Sequence, residues 1–232
     1  MGIYRIADLL VEMNSFGRTA RYAEPYRVAQ THADFTVEAS AEDLARMTDT
    51  KPDYAEYLAT GVGFYRRLAA YNGIMLHASC VVADDRAYLF SAPCGTGKST
   101  HVRLWMELLG DRAYILNDDK PALRVLDGKI YAYGTPWSGK HGINRNARVE
   151  LGGIAVLRRA AENSIRPMET TQAFYSVMNQ TLRNLAPRDE LRCLETVEKI
   201  VSEGRVFDLA CNRDISAARL SYEFMSGKRK EL

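Results

Sequence analysis

The segment Ala92-Pro93-Cys94-Gly95-Thr96-Gly97-Lys98-Ser99-Thr100 constrains the fold of this chain more than any other. It keeps the spacing GxxxxGK[ST], with Ala92 where the first glycine usually stands. Successive backbone N–H groups can curl around a phosphate only where no Cβ intrudes, which Gly95 and Gly97 permit. Lys98 then reaches the β- and γ-phosphates of a nucleotide such as ATP, and the Ser99 hydroxyl offers a ligand to Mg²⁺. Ala92 weakens the match little, because the first loop position can sit in ordinary backbone space. The setting fits as well. Ala87 to Phe90 reads as a strand feeding the loop, and Val102, Leu104, Trp105, Leu108 and Leu109 mark the apolar side of a helix that leaves it and ends at Gly110. The candidate nucleotide-binding set is therefore Gly95, Thr96, Gly97, Lys98, Ser99 and Thr100, with the helix N-terminus adding partial positive charge.

Composition removes several other classes. The 232 residues are 47% hydrophobic and 26% charged, which excludes disordered and fibrous chains. Thirty-one Lys and Arg stand against 29 Asp and Glu, so nothing points to a nucleic-acid partner or a membrane surface. No run approaches the roughly 18–20 apolar residues of a membrane span. Arg5 and Asp8 interrupt the most apolar part of the N-terminus, which argues against a secretory signal. Cys80, Cys94, Cys193 and Cys211 form no CxxC pair, so a disulfide framework and a structural zinc site are not expected, and a reducing cytoplasm is the default. At least three of them, and Cys94 within the loop, read as small fillers.

Along the chain, the first forty residues read as strand-rich, with turns at Gly17, Pro25 and Thr31 to Asp34 and a strand at Phe35 to Val37. Ser40-Ala41-Glu42-Asp43 reads as a capping box. Pro52 then opens a helix to about Tyr71, with Tyr54, Tyr57, Leu58, Val62, Tyr65 and Leu68 on its apolar face. Ile74 to Val82 is one dense strand-like run. Further strands are expected at Ala113–Leu116, Ala122–Leu126, Lys129–Tyr133 and Ile154–Leu157. The last seventy residues predict two or three helices and one strand, Val206–Ala210. Leu191, Leu194, Val197, Ile200 and Val201 face inward on one helix, and Ile215, Ala218, Tyr222 and Met225 on the last. Lys228-Arg229-Lys230 reads as a solvated tail. The expected architecture is an α/β core over 73–232 behind a β-rich and helical appendage over 1–72.

Three further groups carry chemistry. Asp118 and Asp119 end a predicted buried strand, twenty residues past Lys98. Phosphoryl transfer needs one carboxylate on the metal and, for an alcohol acceptor, a base within hydrogen-bond reach, so the two can divide these tasks; alone, such a pair would be an acidic turn. His77 precedes the loop strand within an apolar run, where a core role and a role at the site compete. Gly134-Thr135-Pro136-Trp137-Ser138-Gly139-Lys140-His141-Gly142 reads either as a loop over the nucleotide or acceptor with Lys140 on phosphate, or as a connection anchored by a buried Trp137. His32, His101 and His141 suggest no metal set.

Leu76-His77, the loop Gly95 to Ser99, the pair Asp118-Asp119 and the segment Gly134 to Lys140 together resemble the HPr kinase/phosphorylase-like family, which shares its phosphate-loop core with the phosphoenolpyruvate carboxykinases. The likeness runs from about Ile74 to Leu157. It implies a mixed β-sheet flanked by helices, ATP and Mg²⁺ as ligands, Asp118 as the base, Asp119 with Ser99 on the metal, and His77 close to the carboxylates; the two aspartates could exchange roles. Thr100 stands where the family has an acidic residue, and the family's C-terminal Arg-Gly-Leu-Gly stretch has no counterpart. The chain is thus more similar to the smaller kinases, which include enzymes that phosphorylate a serine hydroxyl of a lasso peptide. The acceptor expected is a hydroxyl of a peptide, protein or small molecule, with a homo-oligomer left open. The alternatives are a nucleotide-binding sensor without transfer and, more remotely, a carboxykinase.

Overall fold

The computed structural model describes residues 1–182 and 185–228, so Arg229 and Lys230 of the basic tail lie outside the described residues. Strands β1 (Gly2–Ile6) and β2 (Leu9–Met13) form a hairpin across Ala7 and Asp8, both in left-handed backbone at φ 52° and 62°. The expected turn at Gly17 is instead the first residue of helix α1 (Gly17–Ala23). Strands β3 (Arg27–Val28) and β4 (Phe35–Val37) complete a four-stranded sheet in the order β3-β1-β2-β4. Ser40 caps α2 (Ala41–Ala45) by accepting the Asp43 amide at 3.0 Å. Pro52 occupies the first turn of α3 (Pro52–Leu68). Its buried face is turned from the expected one: Tyr57, Tyr65 and Leu68 are buried with Thr60, Gly61 and Phe64, whereas Tyr54 is exposed.

The run Ile74 to Val82 divides at Leu76-His77 into β5 (Gly73–Met75) and β6 (Ala78–Ala83). A turn at Asp84 and Asp85, at φ 48° and 60°, sends the chain back as β7 (Arg86–Ser91). The loop follows, then α4 (Lys98–Leu109), β8 (Ala113–Asn117), and the hairpin of β9 (Ala122–Leu126) and β10 (Lys129–Tyr133). Strand β11 (Arg148–Arg159) is far longer than Ile154–Leu157, because it serves two neighbours in tandem on one edge. Its first residues pair with β10 and its last with a strand near the C-terminus. The final part holds β12 (Ser164–Pro167), α5 (Thr170–Met178), α6 (Pro187–Glu203), β13 (Val206–Cys211) and α7 (Ile215–Ser226). Strand β12 has no counterpart among the expected strands; it is short and mostly exposed along β13, so it carries little apolar signal. On α6 the buried residues include Cys193, Val197 and Ile200, while Leu191 faces solvent.

Among the described residues the larger sheet has nine strands, ordered β5-β9-β10-β11-β7-β6-β8, with β13 and β12 beside the far end of β11. It is mixed: β11 runs parallel to β7 and β13, and the other pairs are antiparallel. Because β5 and β6 follow one another in sequence yet stand near opposite ends of that order, the sheet curls. The chain is a mixed α/β fold with flanking helices. Among the described residues no helix is long and apolar enough to cross a membrane.

One face of the sheet packs α4 and α7 around Phe90, Trp105, Leu209 and Tyr222. His101 of α4 is buried there, 4.5 Å from the Phe90 ring and 2.9 Å by Nε2 from the Ser221 hydroxyl, which also accepts the Trp105 indole N–H at 2.8 Å. Burial drives the His101 pKa down from an ordinary 6.5 to about 4. Between those values the unfolded chain binds a proton that the folded chain refuses, so stability falls as pH drops through this window. Each pH unit crossed there costs at most about 1.4 kcal/mol, and the whole loss approaches about 3 kcal/mol. Urea unfolding at about pH 7 and about pH 4.5 should show this slope flattened in His101→Gln relative to the parent; equal slopes would refute it.

Candidate functional site

Strand β7 lies between β6 and β11, so the loop that leaves it starts from a position fixed on both edges. Gly95 and Gly97 adopt φ +76° and +126°, the backbone region that side chains disfavour. The amides of Lys98, Ser99 and Thr100 precede the first intrahelical bond, from His101 N to Gly97 O at 2.9 Å, and are available to a ligand. Lys98 is 8% exposed and folds back to donate to the carbonyls of Ala92 at 2.8 Å and Pro93 at 3.4 Å. Burial pushes its pKa down, and the nearby Asp119 pulls the other way. Arg159, on β11, closes the outer side of the loop by donating to the carbonyls of Thr96 at 3.0 Å and of Gly95.

Strand β8 delivers the carboxylates opposite. Its last residue, Asn117, is fully buried and uses its whole side-chain amide. Nδ2 donates to Thr135 O at 3.0 Å and Thr135 Oγ1 at 3.1 Å, and Oδ1 accepts the amides of Asp119 at 2.9 Å and Lys120 at 2.8 Å. The Ser79 hydroxyl bridges the halves, 3.4 Å from Ser99 Oγ and 3.4 Å from Asp118 O. Asp119 Oδ2 takes Lys120 Nζ at 2.5 Å, and its Oδ1 lies 3.4 Å from His77 Nε2. Asp118 Oδ1 is buried and has no hydrogen-bond partner among the described residues. An orphaned carboxylate oxygen is costly unless a ligand completes it.

The glycine-rich segment returns along β8, with Arg145 N bonded to Leu116 O at 2.9 Å and Asp118 N to Ile143 O at 3.1 Å. This path carries Gly139 over the acids. It sits at φ +75°, and a Cβ there would stand 3.1 Å from the Asp119 Cβ. Its amide donates to Tyr57 OH at 2.9 Å. Trp137 is a buried anchor stacked 4.9 Å from Phe64, and Lys140 is exposed at the cavity.

That cavity, of about 450 Å³, is lined by His77, Gly95, Gly97, Lys98, Ser99, Thr100, Asp118, Asp119 and Lys140. Thr96 stands apart from it; its hydroxyl caps Pro93 O at 2.9 Å and it lines an adjoining hollow beside Arg159. Cys94 is not a buried filler: it is exposed, because the loop lifts it off the sheet onto the cavity wall. Ser138 and His141 of the glycine-rich segment also line the cavity, as do Tyr54 and Arg103, which no motif in the sequence assigns to it. His77 is half-buried with Nδ1 3.0 Å from Gln180 Oε1, and burial followed by the Lys98 charge lowers its pKa, favouring the neutral ring. Among the described residues no cluster of three or more His, Cys, Asp or Glu could hold a metal ion. The donors that fit one here are the Ser99 hydroxyl and the two aspartates, a hard oxygen set suited to Mg²⁺ with water and phosphate completing it.

No family model matches the chain, and no curated protein matches it. Among solved structures it is similar to the Hpr(Ser) kinase/phosphatase from Coxiella burnetii, at 12% identity over 53% of this chain and 87% of that one, with a TM-score of 0.27. A likeness at that level carries no weight here beside the chain's own geometry.

Asn117→Asp tests the clamp. It would set carboxylate oxygen against the Thr135 carbonyl and strand two hydrogen-bonded groups, a cost of about 1–3 kcal/mol. Urea denaturation at neutral pH should register that loss, and an unchanged midpoint would show that the amide is not the clamp.

Proposed function

We propose that this chain is an ATP-dependent phosphotransferase that moves the γ-phosphoryl group to a hydroxyl of a peptide, protein or small molecule. One observation carries the reading: the lysine and serine of a phosphate-type loop face two aspartates across a single cavity, and one of those acids has a buried oxygen awaiting a partner. The loop amides and Lys98 would grip the β- and γ-phosphates once Lys98 exchanges the Ala92 and Pro93 carbonyls for phosphate oxygens. A divalent ion bound with the nucleotide supplies neutralisation of phosphate charge, and Ser99 with Asp119 would hold it. Lys120 and His77 meanwhile keep the Asp119 carboxylate oriented.

Asp118 is the base in this scheme. As the acceptor oxygen bonds to the γ-phosphorus, the bond to the β–γ bridging oxygen breaks, ADP leaves, and the acceptor proton passes to the Asp118 carboxylate. Lys140 balances charge on the transferring group from the cavity rim. Catalysis is mostly positioning and electrostatics, as this reaction requires. Residues 1–72 frame the acceptor in the same scheme, since Tyr54 and Tyr57 stand beside the same space.

Purified protein with labelled ATP, screened against serine peptides and small hydroxyl compounds, tests this directly. Lys98→Met should abolish ATP binding without unfolding the chain. Asp118→Asn should lower transfer about a hundredfold or more while ATP affinity holds. Full transfer in Asp118→Asn would remove the base assignment; ATP binding with no transfer to any acceptor would leave a sensor.

A further inference from the structure

A second cavity lies behind the acids. It measures about 230 Å³ and opens to solvent between the half-buried side chains of Met47, Leu58 and Val62. Its inner walls are Met75, Trp137, Tyr57 and Tyr65, Leu182 lines it as well, and among the described residues Lys120 is the one charged residue lining it. The polar atoms of these walls are engaged elsewhere. Tyr57 OH accepts the Gly139 amide, Tyr65 OH donates to Lys120 O, the Trp137 indole N–H reaches Thr60 Oγ1 at 3.3 Å, and Lys120 Nζ is held by Asp119. Few polar groups are therefore left to hold water inside. Left open, the apolar lining stays in contact with solvent, which is unfavourable.

Two residues link this cavity to the carboxylates. Lys120 lines the cavity and its ammonium touches Asp119, and Tyr57 lines it while its hydroxyl holds the glycine that lies over Asp119. A dry apolar cavity of roughly 150 Å³ is enough to take a benzene ring. We infer that this cavity is a specificity pocket for the acceptor, and that it takes an aromatic or branched aliphatic group next to the hydroxyl that is phosphorylated. The inference rests on the phosphotransferase reading and adds the chemical class of the acceptor to it.

The chain has two tryptophans, Trp105 and Trp137, so 5-fluorotryptophan labelling gives two ¹⁹F resonances, and Trp137→Phe identifies the one in the pocket. The probes are acetyl-Phe-Ser-amide, acetyl-Ser-Phe-amide and acetyl-Leu-Ser-amide, with acetyl-Ala-Ser-amide and acetyl-Asp-Ser-amide as controls. The Trp137 resonance should move with at least one apolar probe at a concentration about tenfold or more below that needed for the controls, the discrimination expected from burying one large apolar side chain. Val62→Phe, which fills the mouth, should erase the difference while leaving ATP binding intact. If that variant does not fold, Leu58→Lys at the same rim makes the same test. An unmoved Trp137 resonance, equal half-saturation by all five probes, or a preference that survives the rim variant would overturn the pocket. ATP binding and transfer, measured on the same protein, separate that failure from failure of the phosphotransferase reading.

Discussion

The side-chain amide of Asn117 is the interaction on which the rest of the site depends. It sits at the end of β8, fully buried, with every donor and acceptor used. Its oxygen pulls the chain into a tight turn, so that Asp118 and Asp119 leave the strand toward the phosphate-type loop rather than continuing along the sheet. Its nitrogen fastens that turn to Thr135, whose hydroxyl in turn donates to Lys120 O at 2.8 Å. Buried polar networks rigidify a structure only when complete, and this one is. The distance between carboxylates and loop is thus set by hydrogen bonds of the backbone frame rather than by the flexible ends of the acids.

Charge follows the same logic. Lys98, Arg103 and Lys140 line the cavity, Lys120 stands behind Asp119, and among the described residues two carboxylates line it opposite them. Such a field favours an anion, and among the described residues no carboxylate is bonded to the loop amides. Lys98 marks the cost: burial lowers its pKa, and two carbonyl oxygens are the partners it has without a ligand. A phosphate oxygen bearing full charge is a stronger partner than a carbonyl dipole. Binding an anion would give that buried ammonium a fully charged partner.

How far the sequence discloses this depends on whether local and tertiary signals agree. The unit β7, loop, α4 and β8 is legible because a buried strand, two glycines, a lysine and an amphipathic helix each specify the same answer. Helix α1 is not: seven residues with Thr19 and Ala23 as the buried pair leave too thin a periodicity, and Gly17 mimics a turn. The hairpin at Ala7-Asp8 lacks the Asn-Gly or Asp-Gly signature that left-handed turns usually carry. Within the site, Lys98, Ser99, Asp118 and Asp119 are legible because their spacing is local. Asn117 is harder to single out, because its partners at Thr135 lie across the fold; its one local signal is that an Asn before Asp-Asp-Lys is the pattern of an Asx turn. Arg159 has no such signal, since it reaches the loop from 63 residues away.

The N-terminal residues are bound to this site more closely than the term appendage suggests. Tyr26 OH donates to Asn144 Oδ1 at 2.8 Å, and Asn144 Nδ2 donates to Ser138 Oγ at 2.8 Å. Tyr22 OH reaches Lys140 O at 3.4 Å, and Phe64 stacks on Trp137. Each contact lands on the segment from Trp137 to Asn144, the one that lies over the acids. That segment has little regular structure of its own, so α1, the turn after it and α3 hold it together with its bonds to β8. A shift of α3 would therefore move Gly139 against Asp119 and reshape the apolar cavity behind it at once.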